Sequence, residues 1–218
     1  SFMQQGNFRK ALLLDGETRS RVYSRKDRMT AFLFGDGGVA ALIEKDKKYG
    51  GSYFTLHSDG SRESLIKADA GGYRNPSTPE TLKEKVVDEH GNIRTDEHGY
   101  MKGADVFNFV LREIPNNIKD ILQLSGTELS DIDYAVFHQA NIYMNNYLVK
   151  KLKLDEGKVP ISLHKFGNTS SVSIPITIVS ELQHQLKGRK TLLLGVGMSW
   201  ASAVLDFVEC RVSNLVEI

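Results

Sequence analysis

Only one cysteine, Cys210, occurs in the 218 residues, so no disulfide can form within the chain and its stability has to come from packing. A lone thiol of this kind fits a reducing, cytoplasmic setting. Long apolar runs are scarce as well. The longest, such as Leu12 to Leu14 and Leu192 to Leu194, fall far short of the ~20 residues a membrane-spanning helix needs, and the opening residues do not read as a secretory leader. Charge of one sign is also missing: 28 Lys and Arg stand against 27 Asp and Glu. No global field draws nucleic acid or an anionic membrane, so neither is an expected partner and any binding must be local. What is present, 40% apolar and 25% charged residues, suits a globular protein of one large or two small domains with a sizeable core.

Ala11 to Leu14 is a continuous apolar stretch behind a charged lead-in that starts at Phe8, the pattern of a buried strand. Met29 to Ile43 repeats it around Gly35, Gly37 and Gly38. Between the two, 19–28 carries five basic residues with no apolar periodicity and reads as a loop. Tyr53 to His57 is a third strand candidate, and the polar stretch from Pro76 to Gly103 reads as a surface excursion. That excursion holds Asp88-Glu89-His90-Gly91 and Asp96-Glu97-His98-Gly99, a repeat whose residue types suit metal ligation but whose acidic starts and glycine ends better suit two tight turns. Phe107, Leu111, Ile114, Ile118 and Ile121 recur at three- and four-residue steps, predicting an amphipathic helix from Ala104 to Leu124 that Pro115 should kink or divide. Beyond it the pattern predicts strands at Tyr134 to Phe137, Lys190 to Leu194 and Ala201 to Val208, with helices at Ile142 to Leu152 and Ser173 to Leu186. Strands alternating with helices predict an α/β layered fold whose functional groups sit where strands run into loops.

Three punctuated motifs occupy such places: Phe137-His138-Gln139-Ala140-Asn141, Phe166-Gly167-Asn168-Thr169-Ser170-Ser171 and Gly195-Val196-Gly197-Met198-Ser199-Trp200. A neutral imidazole, a carboxamide and a glycine-flanked main-chain turn can hold a developing oxyanion without a net charge, which points to acyl chemistry. Each motif also has a purely structural reading. Asn141 can cap a helix beside a packing His138, Asn168 can serve a turn after Gly167, and Gly195 to Gly197 can be a hairpin bend. Their joint occurrence favours the chemical reading.

In this order and spacing the motifs resemble the C-terminal half of β-ketoacyl-acyl-carrier-protein synthase III, a condensing enzyme of the thiolase superfamily. The resemblance continues upstream through Phe34-Gly35-Asp36-Gly37-Gly38 and His57-Ser58-Asp59-Gly60-Ser61. It implies a thiolase-like layered fold, α-β-α-β-α in the full enzyme, with 1–48 as the remnant of the N-terminal half and 49–218 as the C-terminal half. On this match the family's nucleophilic cysteine falls about a dozen residues before Ser1, and the chain opens Ser-Phe-Met. The expectation is therefore a fragment cut behind its nucleophile and inactive in condensation by itself, with Phe2 and Met3 in the helix that the cysteine begins, where the helix N-terminus favours a thiolate. Cys210, in the charged tail Val208-Glu209-Cys210-Arg211, has no adjacent base or glycine turn and does not replace it. A chain so cut would leave apolar surface open.

The reaction implied is a decarboxylative Claisen condensation joining an acyl thioester to malonyl-acyl carrier protein, as in fatty acid or related acyl chain synthesis. His138 and Asn168 match the family pair that hydrogen-bonds the malonyl thioester carbonyl and stabilises the enolate. The Val196 N–H, with Gly197 beside it, matches the donor of the acyl oxyanion hole. Arg21 matches an arginine near the adenine of coenzyme A, Phe107 matches an aromatic of the pantetheine tunnel, and Gln139 and Asn141 are placed on the substrate side with them. Ala104 stands where the family has an asparagine against pantetheine, and Tyr143 where it has an arginine for carrier-protein docking, so the partner and the primer stay open. Coenzyme A enters as the substrate thioester, with no resident cofactor and no metal expected. The resemblance further implies acyl-CoA and malonyl-acyl carrier protein as partners and a homodimer with the 29–43 region near its interface. Two other readings remain: a non-catalytic subunit that binds acyl thioesters or carrier protein, and a synthase III-like acyltransferase of specialised metabolism.

Overall fold

The computed structural model describes residues 2–216. From the short helix α1 (Phe2–Gln5) the chain enters β1 (Lys10–Thr18), antiparallel to β2 (Asp36–Glu44) in a register from Lys10 opposite Glu44 to Thr18 opposite Asp36. Strand β3 (Tyr53–Ser58) precedes the excursion, whose short strands β4 (Ile66–Lys67), β5 (Lys85–Val86), β6 (Ile93–Arg94) and β7 (Tyr100–Met101) pair β4 with β7 and β5 with β6. Helix α2 (Gly103–Ser125), strand β8 (Tyr134–Phe137) and helix α3 (Ile142–Leu152) follow. The single turn α4 (Leu163–Phe166), helix α5 (Ser173–Glu181) and strands β9 (Arg189–Val196) and β10 (Ser199–Phe207) complete the described chain. The main sheet has the order β3-β10-β9-β8, with β8 parallel to β9 and the other pairs antiparallel.

Side chains alternate across a strand, so a sheet covered on both faces needs apolar residues at every position. Ala135, Phe137, Leu192 and Leu194 enter one core with Val110, Ile114, Ile118 and Ile121 of α2 and Met144 and Leu148 of α3. Val136 and Leu193 enter the opposite core with Ile174, Ile178, Leu182 and Leu186. The predicted layered α/β arrangement follows directly from this alternation. Among the described residues no helix is long and apolar enough to cross a membrane.

Several expectations are corrected. Pro115 does not divide α2, which runs unbroken for 23 residues. A proline inside a helix costs ~3 kcal/mol, whereas burying each of Val110, Ile114, Ile118 and Ile121, which are nearly solvent-free, gains ~1.5–3 kcal/mol. The predicted helix from Ser173 to Leu186 stops at Glu181, because the chain must turn back to reach β9; Leu182 and Leu186 still pack in the core. The 29–33 part of the second strand candidate forms turns instead, fastened where Asp27 Oδ1 accepts from the Met29 N–H at 3.0 Å and the Asp27 carbonyl from the Ala31 N–H at 2.8 Å, and Phe34 makes an isolated bridge with Asn168 before β2 begins.

The expected burial of Ala11 to Leu14 is not found either. Leu12, Leu13 and Leu14 are exposed by 61%, 55% and 68%. The β1-β2 ladder is a two-stranded sheet that sets one face against the 170–172 turn and α5, and among the described residues nothing covers the other. The repeated tetrapeptide does form turns: Asp88 Oδ1 accepts from the N–H groups of His90 and Asn92 at 3.0 and 3.2 Å, and the Thr95 N–H donates to His98 Nδ1 at 3.0 Å.

Candidate active site

Strand β8 ends at Phe137, and the His138 N–H continues the ladder by donating to the Leu194 carbonyl at 2.7 Å. The imidazole therefore stands at the sheet rim, where β8 runs into α3. Its Nδ1 lies 2.6 Å from Ser173 Oγ, and that oxygen also accepts from the Gln139 N–H at 3.3 Å. The Ser173 oxygen can accept from the amide and still donate its one proton to Nδ1, since a hydroxyl has one donor and two acceptor lone pairs. The neutral ring then carries its own proton on Nε2. Burial lowers the His138 pKa to about 4, opposed by the nearby Ser170 main chain and assisted by the positive charge of Arg19. At neutral pH the ring is an uncharged donor.

The carboxamide of Asn168, only 6% exposed, is oriented by its own turn. Its Oδ1 accepts from the Ser170 N–H at 2.9 Å, which leaves Nδ2 as the outward donor, with one long contact of 3.4 Å to the Ala140 carbonyl. The turn is held by tight main-chain approach. Gly167 adopts φ +66°, a left-handed conformation open to glycine. The Asn168 N–H donates to the Leu33 carbonyl at 2.8 Å, and the Gly35 N–H donates to the Asn168 carbonyl at 3.0 Å. Ser170 sits at φ +57°, an uncommon position for a residue with a Cβ.

Two cavities meet at His138, Ser170, Val196 and Gly197. The larger, about 510 Å³, is also lined by His57, Ser171, Ser173 and Trp200; the smaller, about 280 Å³, runs between Arg19, Phe34, Phe107, Met144 and Asn168. The three motifs thus converge on one crevice, with imidazole, carboxamide and the Gly-x-Gly turn on its walls. Phe107 and Asn141 line the smaller cavity too, but Asn141 Oδ1 caps α3 by accepting from the Met144 N–H at 2.9 Å. Arg21 lies exposed in the turn after β1 and lines neither cavity, whereas Arg19 of the same turn does. Gln139 requires a correction. It is 0% exposed, its Nε2 donates to the Phe137 carbonyl at 2.7 Å and its Oε1 accepts from the Ser162 N–H at 3.1 Å, so both ends of the amide brace the backbone and none reaches a substrate. Cys210 packs beside the Leu182 core, where burial pushes its thiol pKa up, and it lines neither cavity. Ser173, Glu17 and Arg19 were not foreseen. Only Ser173 left a signal, as a further hydroxyl just beyond the Thr169-Ser170-Ser171 run.

Sequence and structure comparisons find known proteins similar to this chain. The profile of 3-oxoacyl-[acyl-carrier-protein] synthase III matches residues 1–60, and the profile of its C-terminal region matches residues 122–207. The chain belongs to this synthase III family. The β-ketoacyl-[acyl-carrier-protein] synthase III of Streptococcus pneumoniae (strain Hungary19A-6) is 32% identical over 211 residues, covering 94% of this chain and 61% of that protein. A crystal structure of a 3-oxoacyl-(acyl-carrier-protein) synthase III superimposes with a TM-score of 0.87 at 34% identity, covering 94% of this chain and 63% of that one. The 3-oxoacyl-(acyl-carrier protein) synthase from Burkholderia xenovorans LB400 gives 0.83 at 32% identity, covering 98% and 60%. The fold is thus the thiolase-like α/β fold of synthase III, and the chain spans about three fifths of the length of the relatives it matches.

Proposed function

We propose that this chain houses the malonyl half of a decarboxylative Claisen condensation in fatty acid or related acyl chain synthesis. In this reading a malonyl thioester enters the smaller cavity with its carbonyl oxygen between His138 Nε2 and Asn168 Nδ2. The bond from the α-carbon to the carboxylate breaks, carbon dioxide leaves, and the electron pair passes into the enolate, placing negative charge on the thioester oxygen. Both donors strengthen as that charge arrives, and differential strengthening of this kind accelerates a step. The enolate carbon then attacks the carbonyl of an acyl thioester, whose sulfur departs as thiolate. The Val196 and Gly197 N–H groups, at the junction of the cavities, are the donors proposed for the oxyanion of that second step.

The observation that carries the proposal is the neutral His138, its Nδ1 turned to the Ser173 hydroxyl, sharing a cavity with an Asn168 whose amide nitrogen is turned outward. Phe107 and the apolar wall around it suit the arm of the thioester, and Arg21, outside the cavity, suits only its distal nucleotide end. Acyl-CoA and malonyl-acyl carrier protein are the proposed substrates, a homodimer the proposed assembly, and coenzyme A is handled as a thioester, not as a resident cofactor. Decarboxylation needs no cysteine, so the 218-residue chain can be assayed directly, and acyl transfer through Cys210 is not expected. The wild-type chain should release carbon dioxide from malonyl-CoA, and His138→Ala and Asn168→Ala should each lower the rate by ~10²–10³. Unchanged rates in both variants would refute the mechanism. Binding of malonyl-CoA by the wild type with no release would instead establish the binding-subunit reading.

A further inference from the structure

Glu17 is a carboxylate on β1, remote in sequence from all three motifs, yet it reaches the turn that carries Asn168 and Ser170. Its Oε1 accepts from Ser171 Oγ at 2.7 Å and from Arg19 Nη2 at 3.2 Å, and its Oε2 lies 2.9 Å from Arg19 Nε. Burial alone would raise its pKa, but the hydroxyls of Ser171 and Ser170 and the Arg19 guanidinium outweigh that and hold it below the usual glutamate value. The carboxylate is therefore ionised at neutral pH and held on several sides. A charge taken partly out of water needs such partners.

We propose that Glu17 is a positioning residue for the His138–Asn168 pair, gripping the Ser170–Ser171 turn from β1 and being gripped in turn by Arg19. The link to the reacting groups is short. Ser170, one residue before the gripped Ser171, donates its N–H to Asn168 Oδ1, and its main chain lies against the His138 ring. Ser170 also sits at φ +57°, so the turn is held in a conformation it would not favour unaided. Releasing Ser171 lets the turn relax and swings the carboxamide away from the ring.

This inference rests on the proposed decarboxylation for its kinetic test, but not for its spectroscopic one. In Glu17→Gln, kcat for malonyl-CoA decarboxylation should fall by about tenfold to a hundredfold with KM little changed, since catalytic geometry is lost while the cavity remains. Glu17→Asp should recover part of the loss. Ser171→Ala, which removes one exposed hydroxyl without burying anything new, should reproduce the effect in weaker form if Glu17→Gln fails to fold. In the unliganded protein, the Asn168 side-chain amide and His138 ring NMR resonances should shift in Glu17→Gln and return towards wild type in Glu17→Asp. Unmoved resonances and an unchanged kcat in Glu17→Gln would overturn the proposal. A wild type that leaves malonyl-CoA intact would sink the functional reading alone, and the resonances would still decide whether Glu17 holds the pair.

Discussion

Replacing Gly35 with alanine should disable the site from a distance. A Cβ built on Gly35 overlaps the carbonyl oxygen of Phe166, and it also lies 3.2 Å from the Phe166 carbonyl carbon and 3.4 Å from Thr169 Cγ2. The obstacle is backbone, which has no rotamer to escape through, so restoring ordinary contact demands a separation of about 1 Å between the 33–35 and 166–168 segments. Two main-chain hydrogen bonds span that gap, from Asn168 to Leu33 and from Gly35 to Asn168. Weakening both costs ~1 kcal/mol each, and the overpacking itself costs ~1–3 kcal/mol, so the loss of stability should reach about 3–5 kcal/mol. Because the same movement carries Asn168 with it, malonyl-CoA decarboxylation should drop by ~10². Gly16, on the β1-β2 ladder that starts just after Gly35, has nothing within 4 Å of a built Cβ, and Gly16→Ala should stay within ~0.5 kcal/mol of wild type. Urea denaturation of both variants beside the decarboxylation assay makes the comparison. A Gly35→Ala protein with wild-type midpoint and rate would refute the close-approach argument.

Gln139→Met keeps the volume but removes both amide bonds, orphaning the buried Phe137 carbonyl and Ser162 N–H. Unfolding free energy should fall by ~2–4 kcal/mol, and a neutral result would show that Gln139 is not the brace described. His138 makes stability pH-dependent. Its folded pKa of about 4 lies below the ordinary 6.5, so between those values the unfolded chain binds a proton that the folded chain refuses. The contribution is intact above pH 6.5 and is lost as pH falls towards 4, by up to ~3 kcal/mol. Urea titrations at pH 7, 5.5 and 4.5 should show that decline in wild type and a shallower one in His138→Gln; equal declines would mean that the ring is not held neutral.

The elements best read from the sequence are those whose signals are local. Tyr134–Phe137 and Ile142–Leu152 begin and end where predicted, because an apolar strand, a capping Asn141 and a helical stripe lie side by side in the chain. The Ala11–Leu14 run was legible as a strand but not as an exposed one, since an apolar run records a preference for burial without saying what supplies it. Within the site, the convergence of the three motifs was legible from their places at strand ends. The division of labour inside them was not. Gln139 resembles a substrate donor until the Phe137 carbonyl and Ser162 N–H are seen to claim its amide, and Ser162 is distant in sequence. Arg19 and Arg21 share one turn and one composition, and only the fold decides which of them faces the cavity. Glu17 is a single acid in a strand, and its meaning depends on Ser171 on the far side of the chain.

The arrangement of charge around the cavity suits the chemistry proposed for it. Decarboxylation of a malonyl thioester moves negative charge from the carboxylate to the thioester oxygen, so a donor helps only if it favours the second location over the first. His138 and Asn168 are neutral and gain strength as the oxygen becomes anionic, whereas an unpaired cation in the same cavity would hold the carboxylate in the ground state and oppose its departure. Arg19 is such a cation, and Glu17 answers its charge from Oε1 and Oε2. The apolar wall of Phe107, Val110 and Met144 completes the bias: it offers a carboxylate no hydrogen bond, yet it accommodates carbon dioxide, which needs none. The same carboxylate that steadies the turn thus keeps the field over the enolate close to neutral, and the two roles separate in Arg19→Met, which removes the cation while leaving the Ser171 bond in place.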